Sequence, residues 1–322
     1  MKNRRFILIL AVEAVLCVVA ALAFTPQSGS AYVTIAQFPF AQVGLLLRSL
    51  SLSGAVGNAA AIVLYIAICV VPLVFAALHI KKRALKAEDA LLVVMSGMAF
   101  YMMYMMINPG ILSQIPCYSI GDFGKAVLGG AFYSLLIGYL VLRLLRRADG
   151  ASTDALLRVM RLLFAIIAVI LVFGIGYVGV SDAKSELAAI KAANTDPSVS
   201  LGMTNFFVLL RFALTQAPVV MEIGIFLLGM RLCAALSEDR YGEAAVGAAQ
   251  KLAAFAKWTV VVILLCCIVL NLAQIVFAGS LVSANFLTTL PVSEIVVAVG
   301  ALLLTRFFVA SRELKQDNQM II

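Results

Sequence analysis

Charge is scarce in this sequence. Of 322 residues only 12% are Asp, Glu, Lys or Arg, about half the share of a soluble globular domain. Histidine occurs once, as His79, so a zinc centre built from imidazoles is excluded. No His-Glu-x-x-His, no Gly-x-Ser-x-Gly elbow and no phosphate-binding loop is present. Catalysis needs polar groups that converge, and few are available. The chain is therefore not expected to be an enzyme, and no cofactor or metal is expected. Disulfides are excluded on similar grounds. Of six cysteines, Cys17, Cys69, Cys233, Cys266 and Cys267 fall in or at the ends of apolar runs. Cys117 alone occupies an outer loop and has no partner on its side. The adjacent Cys266 and Cys267 read as small apolar packing residues.

What the chain has in excess is oil. The apolar share is 64% and the mean hydropathy +1.09. A water-soluble fold of this length must cover itself with polar surface, so these residues need lipid as their solvent. A helix crosses the hydrocarbon core with about 20 mainly apolar residues. Eight runs qualify: 6–24, 57–79, 90–107, 126–145, 162–180, 213–236, 258–278 and 293–311. Period-two alternation is missing, so a membrane barrel is not indicated. The predicted fold class is all-α: a polytopic transmembrane helical bundle of about eight spans.

Basic residues set the orientation. Lys2, Arg4 and Arg5 precede the first span; Lys81, Lys82, Arg83 and Lys86 follow the second. Arg143, Arg146, Arg147, Arg158 and Arg161 follow the fourth, and Arg231, Arg240, Lys251 and Lys257 the sixth. Arg306, Arg312 and Lys315 close the chain. With the N-terminus cytosolic, 19 of the 24 Lys and Arg lie inside or at the inner boundary. Eight spans then place both termini in the cytosol. The net charge of +8 is scattered between apolar runs, which suits anionic lipid headgroups and not nucleic acid. A protein partner or a second copy of the chain remains compatible with this composition. The first run, ending near Ala21-Leu22-Ala23, has some features of a signal peptide, but its length and Glu13 favour a retained span.

Two halves, 1–150 and 151–322, share a layout of four spans each. GLLLRSLSLSG (44–54) and VLLRFALTQAP (208–218) stand at matching points, as in a parallel repeat. Segments 32–50 and 203–213 are expected along the outer interface, with Phe38, Phe40, Phe206 and Phe207 in lipid. The inner loop 237–258 is Ala-rich and is expected as a surface helix. Ser237 would cap it, Val246, Leu252 and Phe255 would share a stripe, and Trp258 would sit at headgroup level. Within it, EAAVGAAQ (243–250) departs from the docking loop of ABC importer permeases, because Gly247 comes too early and no Leu-Pro follows. The four spans of 151–322, their long first outer loop and the tail SRELKQDNQMII together resemble a family of bacterial four-span membrane proteins of unknown function. That resemblance implies a bacterial plasma membrane and supplies no catalytic residues.

The polar residues inside the spans are the remaining leads. Glu222 interrupts PVVMEIGIFLLGMR (218–231), where an ionised carboxylate costs about 2.5–3.5 kcal/mol. Arg211 lies on the same helical face but about 16 Å away along the axis. Glu13 stands at a depth where it can meet Arg231 or Arg306. Glu222, Glu13, Arg211, Arg231 and Arg306 thus form the candidate intramembrane polar site. Pro218 removes a backbone donor one turn before Glu222. Such a site serves either as a structural pair that holds the bundle or as the polar centre of a transporter. Met95, Met98, Met102, Met105 and Met106 share one arc of a helix. Thioethers bind Cu(I), but no outer loop collects the ion, so the arc reads as adaptable packing. Glu88 and Asp89, beside Lys86, read as a helix cap. The expected function is that of an integral membrane protein with a structural, regulatory or partner-binding role. The alternative is a secondary transporter or permease subunit.

Overall fold

Main-chain amides in lipid have no water to bond, so each spanning segment closes its hydrogen bonds within itself. In the computed structural model the chain is accordingly helical, and no strand occurs among the described residues. Those residues are 3–24, 31–81, 86–115, 123–149, 152–196, 200–239, 242–280 and 292–320. Lys2, Lys82, Arg83, Cys117 and Arg240 lie outside them. In chain order the helices are α1 (Asn3–Ala23), α2 (Ala31–Gln37), α3 (Phe40–Ser51) and α4 (Ala55–Lys81). A 3₁₀ turn, Ala87–Asp89, leads into α5 (Ala90–Ile107), followed by the short α6 (Pro109–Leu112) and by α7 (Phe123–Asp149). Then come α8 (Thr153–Phe173), a π-helical stretch Gly174–Gly179, and α9 (Val180–Ala193). The chain continues with α10 (Gly202–Glu238), α11 (Glu243–Val276) and α12 (Val292–Met320).

Seven of these helical stretches are long and apolar enough to cross a membrane, and they carry seven of the eight predicted spans. The eighth predicted run, 293–311, falls within α12. α2 and α3 form a bent pair with 57° between them. α2 packs on α7, and α3 on α4 and α5, with Phe38 between them exposed. Two other expected surface segments are continuous with spans. Residues 203–213 belong to α10, a single helix of 37 residues, about 55 Å long against a core of about 30 Å. Nothing in 203–217 breaks a helix, so the hydrogen-bond ladder propagates through it and onward past Pro218. Residues 243–258 likewise form the start of α11 and not a separate surface helix, because Ala-rich sequence extends a helix readily. Ser237 lies inside α10, where its hydroxyl donates to the Ala234 carbonyl (2.8 Å), and Gly242 precedes α11 in the capping position.

The chain divides into two compact units, one of residues 1–25 with 152–322 and the other of 26–151. By contacts α1 thus packs with the helices of 152–322 and not with those of 26–151.

In the first unit α1 packs on α8, on the π-helical stretch and on α9. Phe6 and Leu10 meet Ala168, Val172 and Met230 in one core cluster. Ile225, Leu252, Ala256 and Ala298 make a second, between α10, α11 and α12. α11 turns Ala245, Ala249, Leu252, Ala256 and Thr259 inward, a stripe at helical spacing. Val246 lies beside that stripe, half-buried, and Trp258 is exposed.

In the second unit the methionine face is the core. Met102, Met103, Met105 and Met106 are buried against Leu47, Cys69, Leu112 and Leu128. Met95 packs in a neighbouring cluster with Ala76, Leu92 and Tyr139. Two hydrogen bonds tie α4 to α5: Ser96 Oγ donates to the Cys69 carbonyl (2.7 Å), and the Tyr65 hydroxyl to that of Phe100 (2.9 Å). Such bonds hold helices together where lipid removes the hydrophobic drive. Gly54, at φ +134°, makes the turn between α3 and α4, a backbone state that side chains disfavour.

Candidate functional site

The second unit assembles its polar residues at one end. α4 ends in His79 and Lys81, the 3₁₀ turn supplies Glu88 and Asp89, and the last turns of α7 carry Tyr139, Arg143, Arg146 and Arg147. Asp89 is the hub. Its side chain is 1% exposed. Oδ2 accepts the Lys86 backbone N–H (2.8 Å), which is the expected cap. Oδ1 faces His79 Nδ1 (2.9 Å), the Tyr139 hydroxyl (3.5 Å) and Arg143 (3.8 Å). Arg143 also donates to the Tyr139 hydroxyl and approaches the His79 ring at 3.1 Å. Alongside, Arg146 pairs with the buried Glu88 at 2.7 Å. A buried carboxylate is tolerated only with such partners.

Two openings meet at this cluster. A polar cleft of about 510 Å³ is lined by Lys86, Glu88, Asp89, Arg143, Arg146 and Arg147 with two leucines. An apolar groove of about 520 Å³ runs between α4, α5 and α7, past Val71, Pro72, Phe75, Leu92, Phe132 and Leu136. Leu140 and Arg143 belong to both. Reading the sequence missed this site. Glu88 and Asp89 were legible as a cap, but not as partners of His79 and the arginines. A signal existed: the lone histidine ends one span, an acidic pair opens the next, and arginines close another.

The predicted intramembrane site is not assembled as one. Arg211 pairs with Glu186 of α9, each side chain about a quarter exposed. Near that end Lys184 donates to the carbonyls of Leu22 (2.7 Å) and Ala21 (3.3 Å), capping α1. Arg231 and Arg306 are exposed, and Glu13 has no ion pair with either of them. The expected Glu13–arginine pair is therefore not formed. The two arginines lie off the packed faces of α10 and α12. Glu222 is half-buried in α10 and makes no hydrogen bond or ion pair among the described residues. An apolar cavity of about 380 Å³ in this unit is lined by Phe164, Ile225, Phe226, Leu252, Ala301 and Thr305 among others, and not by Glu222.

Cys17, Cys69, Cys233, Cys266 and Cys267 are free thiols. Among the described residues no group of three metal-ligating side chains converges. Fold and composition together define an all-helical membrane protein with several apolar helices in contact with lipid. Comparison with protein-family models, curated proteins and solved structures finds no match.

Proposed function

We propose that the chain is a non-catalytic integral protein of a bacterial plasma membrane, with both termini cytosolic, that acts by binding a partner or ligand. One observation carries this reading: the two carboxylates that converge are each engaged by a basic side chain. Asp89 is held by His79, Arg143 and a backbone amide, and Glu88 by Arg146. Groups so engaged favour a rigid binding surface over proton transfer.

A second reading, a secondary transporter, is favoured by Glu222 standing half-buried within the spanning helix α10 with no hydrogen bond or ion pair among the described residues. The two readings separate in proteoliposomes. Under a proton gradient, the wild-type protein and Glu222→Gln should both leave internal pH unchanged relative to empty vesicles. Proton flux in the wild type that Glu222→Gln abolishes would establish the transporter.

A further inference from the structure

From the joined cleft and groove of the second unit, we infer that this unit holds one phospholipid with an anionic headgroup. Its phosphate lies among Lys86, Arg143 and Arg147, and an acyl chain lies along Val71, Phe75 and Leu136. The inference rests on the membrane-embedded, ligand-binding reading given above.

Charge supplies the first argument. Of the four cations lining the cleft, Arg146 is matched to Glu88, and Arg143 leans on Asp89 at 3.8 Å. Arg147 and the Lys86 ammonium form no ion pair among the described residues. The cleft thus keeps positive charge in excess where α7 ends, and a phosphate monoanion is its complement. Arg143 is 48% exposed although tied to Tyr139 and His79, so its position is set while part of it still faces the cleft.

Shape supplies the second argument. The groove is apolar for most of its length and opens sideways, since Val71, Phe75 and Leu140 are all about half exposed. Such a surface in a membrane meets hydrocarbon. At its polar end it runs into the basic cleft through Leu140 and Arg143. A soluble anion needs only the cleft, and a lipid without a phosphate needs only the groove. An anionic phospholipid needs both, in that order along one molecule.

The test is native mass spectrometry of the purified full chain, with phosphatidylglycerol or phosphatidylcholine added at equal concentration. Phosphatidylglycerol should be retained at least about tenfold better. The double change Lys86→Gln with Arg147→Gln touches exposed positions. It should weaken that retention about thirtyfold, each cation being worth about fivefold near a lipid surface, and narrow the preference over phosphatidylcholine, whose phosphate meets the same cations but whose choline they repel. Leu136→Trp, which fills the groove, should weaken retention of both lipids. Inorganic phosphate at millimolar concentration should not displace the lipid. Equal retention of the two lipids by the wild type would overturn the inference, as would displacement by free phosphate. Either result leaves the placement of the termini and the absence of proton flux standing.

Discussion

Asp89 is the residue whose loss should be felt most. It is buried and accepts from a main-chain amide, an imidazole and a tyrosine hydroxyl. Asp89→Ala leaves those donors without their acceptor, at a cost of about 3 kcal/mol. The expected result is a clear fall in the thermal midpoint of the detergent-solubilised protein, read by tryptophan-independent scanning such as thiol-reactive dye uptake at the free cysteines. An unchanged midpoint would show that the cluster is not held through Asp89. Arg211→Met offers the contrast. Its pair with Glu186 is partly open to solvent, so the change should cost only about 1 kcal/mol. The same assay should rank the two in that order.

At the scale of elements, close approach is the controlling feature. Gly129 of α7 lies against the carbonyl of Ala36, so close that an added Cβ would collide with backbone. The backbone cannot swing away as a side chain tip can. Gly129→Val should therefore force α2 off α7 and cost about 1–3 kcal/mol. Faster proteolysis in the stretch between α1 and α3 would reveal it, whereas wild-type resistance would argue against close α2–α7 packing. Gly176, in the π-helical stretch, has the same character, with an added Cβ 2.8 Å from the Cys17 Cβ. Neither contact was legible beforehand. A glycine in an apolar run carries no mark of the helix that comes to lie against it.

At the scale of the molecule, the count of crossings decides where the ends lie. On the reading proposed above, the basic-residue asymmetry together with eight spans would put both termini on the cytosolic face. Reporters active on only one side of the membrane, fused to either end of the full chain, should give the same cytosolic readout. Opposite readouts would mean an odd number of crossings, and α12 or the bent α2–α3 pair would then need reassignment. The boundary of the units lies at the same scale. That α1 belongs with residues 152–322 follows from Phe6 and Leu10 meeting Ala168, Val172 and Met230. Chain order suggested otherwise.

Composition by itself determined the class, because 64% apolar residues in runs of about 20 leave no other solvent than lipid. It also indicated where most spans run, since hydropathy is a local property that survives folding. Tertiary structure alone decided which unit α1 joins, and that Asp89, His79 and Arg143 converge while Glu13 pairs with neither Arg231 nor Arg306. Those outcomes depend on which faces of separate helices meet. A side chain's neighbours across a helix interface are set by packing and not by its place in the chain.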